Sequence, residues 1–110
     1  MPDDKFFIKQ GDTRPKLEFF IENVDGSPVN LTGASIKLNM RVRPAGSSKI
    51  SDGSVAVVNV ATGECAYTFS TSDTNTADDY ELDVSVSFSD GGILTVPNDG
   101  YLIVPITDDV

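Results

Sequence analysis

Apolar and polar residues alternate through most of this chain, and two stretches set the pattern. Ile36, Leu38, Met40 and Val42 interleave with Lys37, Asn39, Arg41 and Arg43. Tyr80, Leu82, Val84, Val86 and Phe88 interleave with Glu81, Asp83, Ser85 and Ser87. A period of two residues puts the apolar set on one face of a strand and the polar set on the other. Each stretch therefore predicts a strand with one face in a core. The first carries a basic outer face and the second an acidic one. As neighbours, the two outer faces would attract across the pair.

Shorter strands fill the rest. Phe6–Lys9 predicts the first strand, and Leu17, Phe19 and Ile21 mark the second. Val55–Val60, Cys65–Phe69, Ile93–Val96 and Tyr101–Ile106 follow. Asp25-Gly26 and Asp90-Gly91 are hairpin dipeptides, because glycine accepts the positive φ of a tight turn. Thr62-Gly63 and Asp99-Gly100 do similar work. Pro97 and Pro105 cannot donate to a ladder, so both are expected at strand ends or edges. The polar stretches Pro44–Gly53 and Ser70–Asp79 are expected to be surface loops. No segment has a helical period; at most, Ser72–Ala77 forms one turn of helix. The result is a single all-β domain over residues 1–110, an immunoglobulin-like antiparallel β-sandwich of about seven to eight strands. Residues 1–5 and 107–110 are expected to be flexible ends. Tyr80 begins a long strand after Asp78-Asp79, the position of a tyrosine corner, whose phenol ties back to nearby backbone. Antibody-type domains carry a cysteine two residues later, and here that residue is Leu82.

Composition narrows the function classes. A chain of 110 residues is long enough for one core without covalent staples. Its one cysteine cannot form an intrachain disulfide, which fits a reducing compartment. The start, Met1-Pro2-Asp3-Asp4, is acidic where a signal peptide is basic, so cytoplasmic synthesis is expected. No apolar run approaches the roughly 18 residues of a membrane helix. Charge is unevenly distributed. Residues 1–50 hold all eight basic residues and six acidic ones, a net of +2. Residues 51–110 hold eleven acidic residues and no Lys or Arg, a net of −11, which completes the total of −9. Such a balance disfavours nucleic acid. The acidic half is either a solvated surface or a docking face for a basic partner or a second copy.

Candidate chemistry is sparse. With no histidine, Ser-His-Asp and Cys-His catalysis and histidine metal sites are excluded in their usual forms. Cys65 shares a strand face with Tyr67 and Phe69, which points to a buried small hydrophobe. A reactive thiol needs exposure and a nearby positive charge instead. Asp78-Asp79 and Asp108-Asp109 are carboxylate pairs of the kind glycosidases use, but no tryptophan platform accompanies them. Asp73, Asn75 and Asp78 offer oxygen ligands for calcium within one loop. Ala77 fails as a ligand, the glycine is missing, and no glutamate stands at the twelfth position. The competing reading is a capped turn leading into Tyr80. No catalytic, cofactor or metal residue is assigned.

One ordered set of segments goes further. Gly11-Asp12-Thr13, then Asp25 through Gly33, then the strand to Arg43 resembles the N-terminal domain of bacteriophage baseplate upper proteins. Thr62-Gly63-Glu64-Cys65-Ala66-Tyr67 resembles that family's T-G-x-x-x-Y strand. Asp78-Asp79-Tyr80-Glu81 resembles its G-x-Y-x segment, with aspartate where glycine often stands. Ser89-Asp90-Gly91-Gly92 through Pro97 resembles its closing hairpin. The resemblance spans roughly residues 8–106 and implies a virion structural protein of the tail, baseplate or neck, made in the host cytoplasm. Its implied partners are other phage virion proteins, with trimers or rings as oligomers, and no catalytic residues are implied. Baseplate upper proteins continue into a trimerising stalk, whereas this sequence ends at Val110, so a building block is expected, not a receptor-binding machine. The alternative is a carbohydrate- or host-surface-binding module of the same fold. That module would use exposed aromatics, and Phe20 and Tyr101 are the candidates.

Overall fold

The computed structural model describes residues 5–97 and 100–108. Among them, nine strands form two sheets: β1 (Ile8–Lys9), β2 (Leu17–Phe20), β3 (Ser35–Val42), β4 (Ser48–Ser54), β5 (Ala56–Asn59), β6 (Glu64–Tyr67), β7 (Asp78–Ser87), β8 (Ile93–Val96) and β9 (Leu102–Thr107). The larger sheet runs β1-β9-β7-β3-β4, with β8 also on β7; the smaller runs β2-β6-β5. This is the expected all-β sandwich.

The two alternating stretches are its central strands. β3 and β7 pair antiparallel from Ser35↔Ser87 to Val42↔Tyr80. The far edge of β7 is shared: Asp78–Leu82 pair with β9 and Val84–Ser87 pair with β8. Ile36, Leu38 and Met40 of β3 and Tyr80, Leu82, Val84 and Val86 of β7 are buried, as period two requires. Leu17, Cys65 and Tyr67 enter the same core from the smaller sheet, joined by Ile21, Val29, Leu31 and Phe69 from the connections. Each fully buried side chain of Leu38 size contributes about 2 kcal/mol. Tyr80 closes the corner read from the sequence: its phenol donates to the Thr76 carbonyl at 2.8 Å.

Four expectations are corrected. Ser48–Ser54 is strand β4, not loop, which makes nine strands where seven to eight were expected. It buries only Ile50 and pairs with β3 through two irregularities, so its own sequence carries almost no strand signal. One pair is parallel: β1 lies beside β9 with Ile8 opposite Ile106. Pro105 sits inside β9, opposite Asp79. The Asp79 carbonyl accepts from the Arg43 N–H on the β3 side, so the Asp79–Pro105 pair has no hydrogen bond for proline to lose. Ser72–Ala77 forms turns instead of helix, with the Asp73 N–H donating to the Ser70 carbonyl at 3.1 Å. Pro97 follows the end of β8, as expected. At the chain ends, Lys5 bridges Ile103 and the Thr107 carbonyl accepts from Gln10. Met1–Asp4, Asn98-Asp99 and Asp109-Val110 lie outside the described residues.

Candidate functional site

Adjacent strands bring the only side-chain ion pair of the described residues together on the outer face of the larger sheet. Arg41 of β3 lies opposite Glu81 of β7, and its Nε donates to Glu81 Oε2 at 2.5 Å. A second guanidinium nitrogen donates to the Tyr101 hydroxyl at 2.9 Å, and the Arg41 head lies 5.1 Å from the centre of the Tyr101 ring. The hydrogen bond it donates to Glu81 raises the Arg41 pKa above its ordinary value. Glu81 is 6% exposed although it belongs to the polar face. Asp83 stands two residues along; burial raises its pKa, against the pull of Arg41 and a hydrogen bond with Asn39. These groups line a cavity of about 320 Å³ open to solvent. The attraction across the β3–β7 pair was legible in the charges of the two strands; the part played by Tyr101 was not. The arrangement is a clasp tying three segments together. It holds no nucleophile paired with a base.

The other candidates separate. Cys65 is fully buried and its thiol contacts the Gly63 carbonyl at 3.7 Å. Burial pushes its pKa up to about 11, so the thiolate is suppressed. Asp78 and Asp79 are exposed at the start of β7, and Asp78 accepts its neighbour's backbone N–H at 2.8 Å. Asp108 is described; its partner Asp109 is not. The calcium candidates each serve a different neighbour. Asp73 accepts from the Tyr67 hydroxyl at 2.7 Å and from the Ser70 N–H; burial, and after it the Asp73 contact, raises the Tyr67 pKa. Asn75 Oδ1 accepts from the Lys49 ammonium. Among the described residues no group of three or more His, Cys, Asp or Glu side chains is placed to hold a metal. This loop is the capped turn that leads into Tyr80.

The surface aromatics divide differently from expectation. Phe20 is 59% exposed on β2, whereas Tyr101 is half-buried under Arg41. Phe7, 62% exposed, was missed. Its signal was available: in Phe6-Phe7 only one ring can face the core, and Phe6 takes that place, 5.9 Å from the Phe69 ring. Val24, Val58, Val60 and Ile93 are also exposed, so apolar groups reach the surface on both sheets and at a turn.

A family profile described as the BppU N-terminal domain matches residues 3–98. The chain belongs to this family, the N-terminal domains of baseplate upper proteins. Comparison with curated proteins gave no match. Membership in the BppU N-terminal domain family makes the chain a phage baseplate-related structural protein, and so a virion component that meets other virion proteins. The segments matched include both central strands, the tyrosine corner and the Asp90-Gly91 turn. In that turn Asp90 Oδ1 accepts the Gly92 N–H at 2.8 Å and Gly91 has φ +90°.

Proposed function

We propose that this domain is a non-enzymatic building block of the phage tail, baseplate or neck, acting through contacts of its strand edges and sheet faces with neighbouring virion subunits. The family match over residues 3–98 carries the reading. The physical arrangement supports it: the sandwich presents Phe7, Phe20, Val58 and Ile93 outward, and its polar clusters are engaged in internal hydrogen bonds. Exposed apolar groups of this kind drive association by burial on contact. The symmetry of phage tails favours a trimer or ring as the assembled form, with synthesis in the host cytoplasm before incorporation. Quantitative mass spectrometry of purified particles tests the role. The chain is expected at a fixed copy number per particle, and its absence at stoichiometric level would sink the proposal.

A second reading, a module binding carbohydrate or host surface, rests on the exposed ring of Phe20. Glycan-array binding that is lost in Phe20→Ala would favour it. Tyr101 is a poorer anchor, because Arg41 already covers its ring.

A further inference from the structure

We propose that the open edge of β2 is a homodimer interface, where two copies pair antiparallel about a two-fold axis and join their smaller sheets into one continuous sheet. This contact goes beyond the virion role and does not depend on it.

Among the described residues, the backbone of β2 leaves one edge free. β2 pairs with β6 in the register Leu17↔Tyr67 and Phe19↔Cys65, and the Ile21 N–H extends that register by donating to the Gly63 carbonyl at 2.8 Å. The N–H and C=O of one residue point to the same side of a strand, and the side alternates along the chain. Leu17, Phe19 and Ile21 therefore address β6, while Glu18, Phe20 and Glu22 present their backbone groups to the opposite edge. The 27–29 arm does not cover that edge. Val29 N–H donates to the Ile21 carbonyl, which places the arm on the β6 side.

The other edges are guarded in ways that oppose strand addition. β4 carries irregularities and the positive-φ residue Asp52. β5 is irregular between Val57 and Asn59. β1 has two residues, and β8 runs four residues before Pro97. From Lys16 to Glu22, by contrast, no glycine or proline interrupts the line. An apolar groove of about 230 Å³ lies beside this edge, where Leu17, Phe19 and Phe20 face Leu82, Val96 and Leu102.

Charge selects a second copy as the occupant and, among registers centred within Glu18–Phe20, fixes one. Two-fold pairing on this edge sets even-numbered residues opposite even-numbered ones. Centred on Glu18, it opposes Glu18 to the second copy's Glu18. Centred on Phe20, it opposes Glu18 to the second copy's Glu22. Both oppose like charges, which destabilises a sheet. Centred on Phe19, it opposes Glu18 to Phe20 and Lys16 to Glu22, and symmetry makes each contact twice. Lys16 and Glu22 are both exposed, and neither makes an ion pair among the described residues. The two Phe19 side chains then meet on the axis, on the groove side.

Sedimentation velocity over a concentration series reaching about 0.5 mM tests this. The natural sequence is expected to dimerise. Lys16→Glu should raise the dissociation constant at least about tenfold by opposing like charges, and the exchange Lys16→Glu with Glu22→Lys should restore it. Phe20→Pro removes an N–H from the open edge only, so it should abolish the dimer while the circular dichroism spectrum persists. A natural sequence that stays monomeric across the series overturns the proposal. So does a charge exchange that fails to restore what Lys16→Glu removed.

Discussion

Replacing Gly63 by alanine should destabilise the domain far more than the same change at Gly26. Gly63 is buried between β2 and the 27–29 arm, with φ +73°. A left-handed backbone costs a non-glycine residue about 1–2 kcal/mol. The added Cβ would also overlap the Ile21 carbonyl oxygen and lie 3.1 Å from the Val29 carbonyl oxygen. Both are backbone atoms and cannot swing away. Relieving the overlap strains two hydrogen bonds, Ile21 N–H to Gly63 at 2.8 Å and Val29 N–H to Ile21 at 3.0 Å. Each is worth about 1 kcal/mol, which brings the total to about 3–4 kcal/mol. At about 4 °C per kcal/mol for a domain of this size, the midpoint should fall by about 12–16 °C. Gly26 has φ +87° in an open turn, and an added Cβ there meets nothing within 4 Å. Gly26→Ala should therefore cost only the backbone term, about 1 kcal/mol and about 4 °C. Thermal melts followed by circular dichroism compare the two. Midpoints within about 3 °C of each other would refute the reasoning, because the packing against Ile21 and Val29 would then contribute nothing.

Three further outcomes follow from the same structure. Tyr80→Phe removes the corner hydrogen bond to Thr76 but keeps the buried ring, and should lower stability by about 1–2 kcal/mol in a urea titration. Cys65 should stay unreactive toward a thiol reagent at pH 8 and react fully once the protein is unfolded, since burial holds its pKa at about 11. Asp83→Asn should raise the melting midpoint at pH 7 and leave it unchanged near pH 3. The folded Asp83 pKa lies above its ordinary value, so the folded state binds the extra proton and stability falls as pH rises through that window. An equal shift at both pH values would contradict the assignment.

How much of this was legible in the sequence depends on where each residue's partner lies. β3 and β7 announce themselves, because Ile36, Leu38 and Met40, and Leu82, Val84 and Val86, repeat the pleat along a single strand. The tyrosine corner was legible for a similar reason: the Tyr80 phenol reaches back only four residues. β4 was not legible. Its Ser, Lys, Asp and Gly residues look like loop, and its strand form comes from pairing with β3. The place of Tyr101 follows from Arg41, sixty positions away in the chain, and no local pattern reports it. Pro105 was misplaced because its nitrogen faces away from Asp79, toward the two-residue β1 like Ile103 and Thr107, so the long β7 ladder loses no donor. The absence of histidine and the single cysteine limited the chemistry from the outset. Fold class and family resemblance were thus readable locally, while the Arg41 clasp and the free β2 edge needed the tertiary arrangement.

The central claim is that the domain is a structural part of the phage tail or baseplate, built in through contacts with its neighbours. A cryo-electron-microscopy reconstruction of the intact particle tests this most directly. The account predicts density for the sandwich in the tail, baseplate or neck at a fixed copy number, touching adjacent subunits through its edges or outer faces. A complete reconstruction with every density assigned and this domain absent would contradict it.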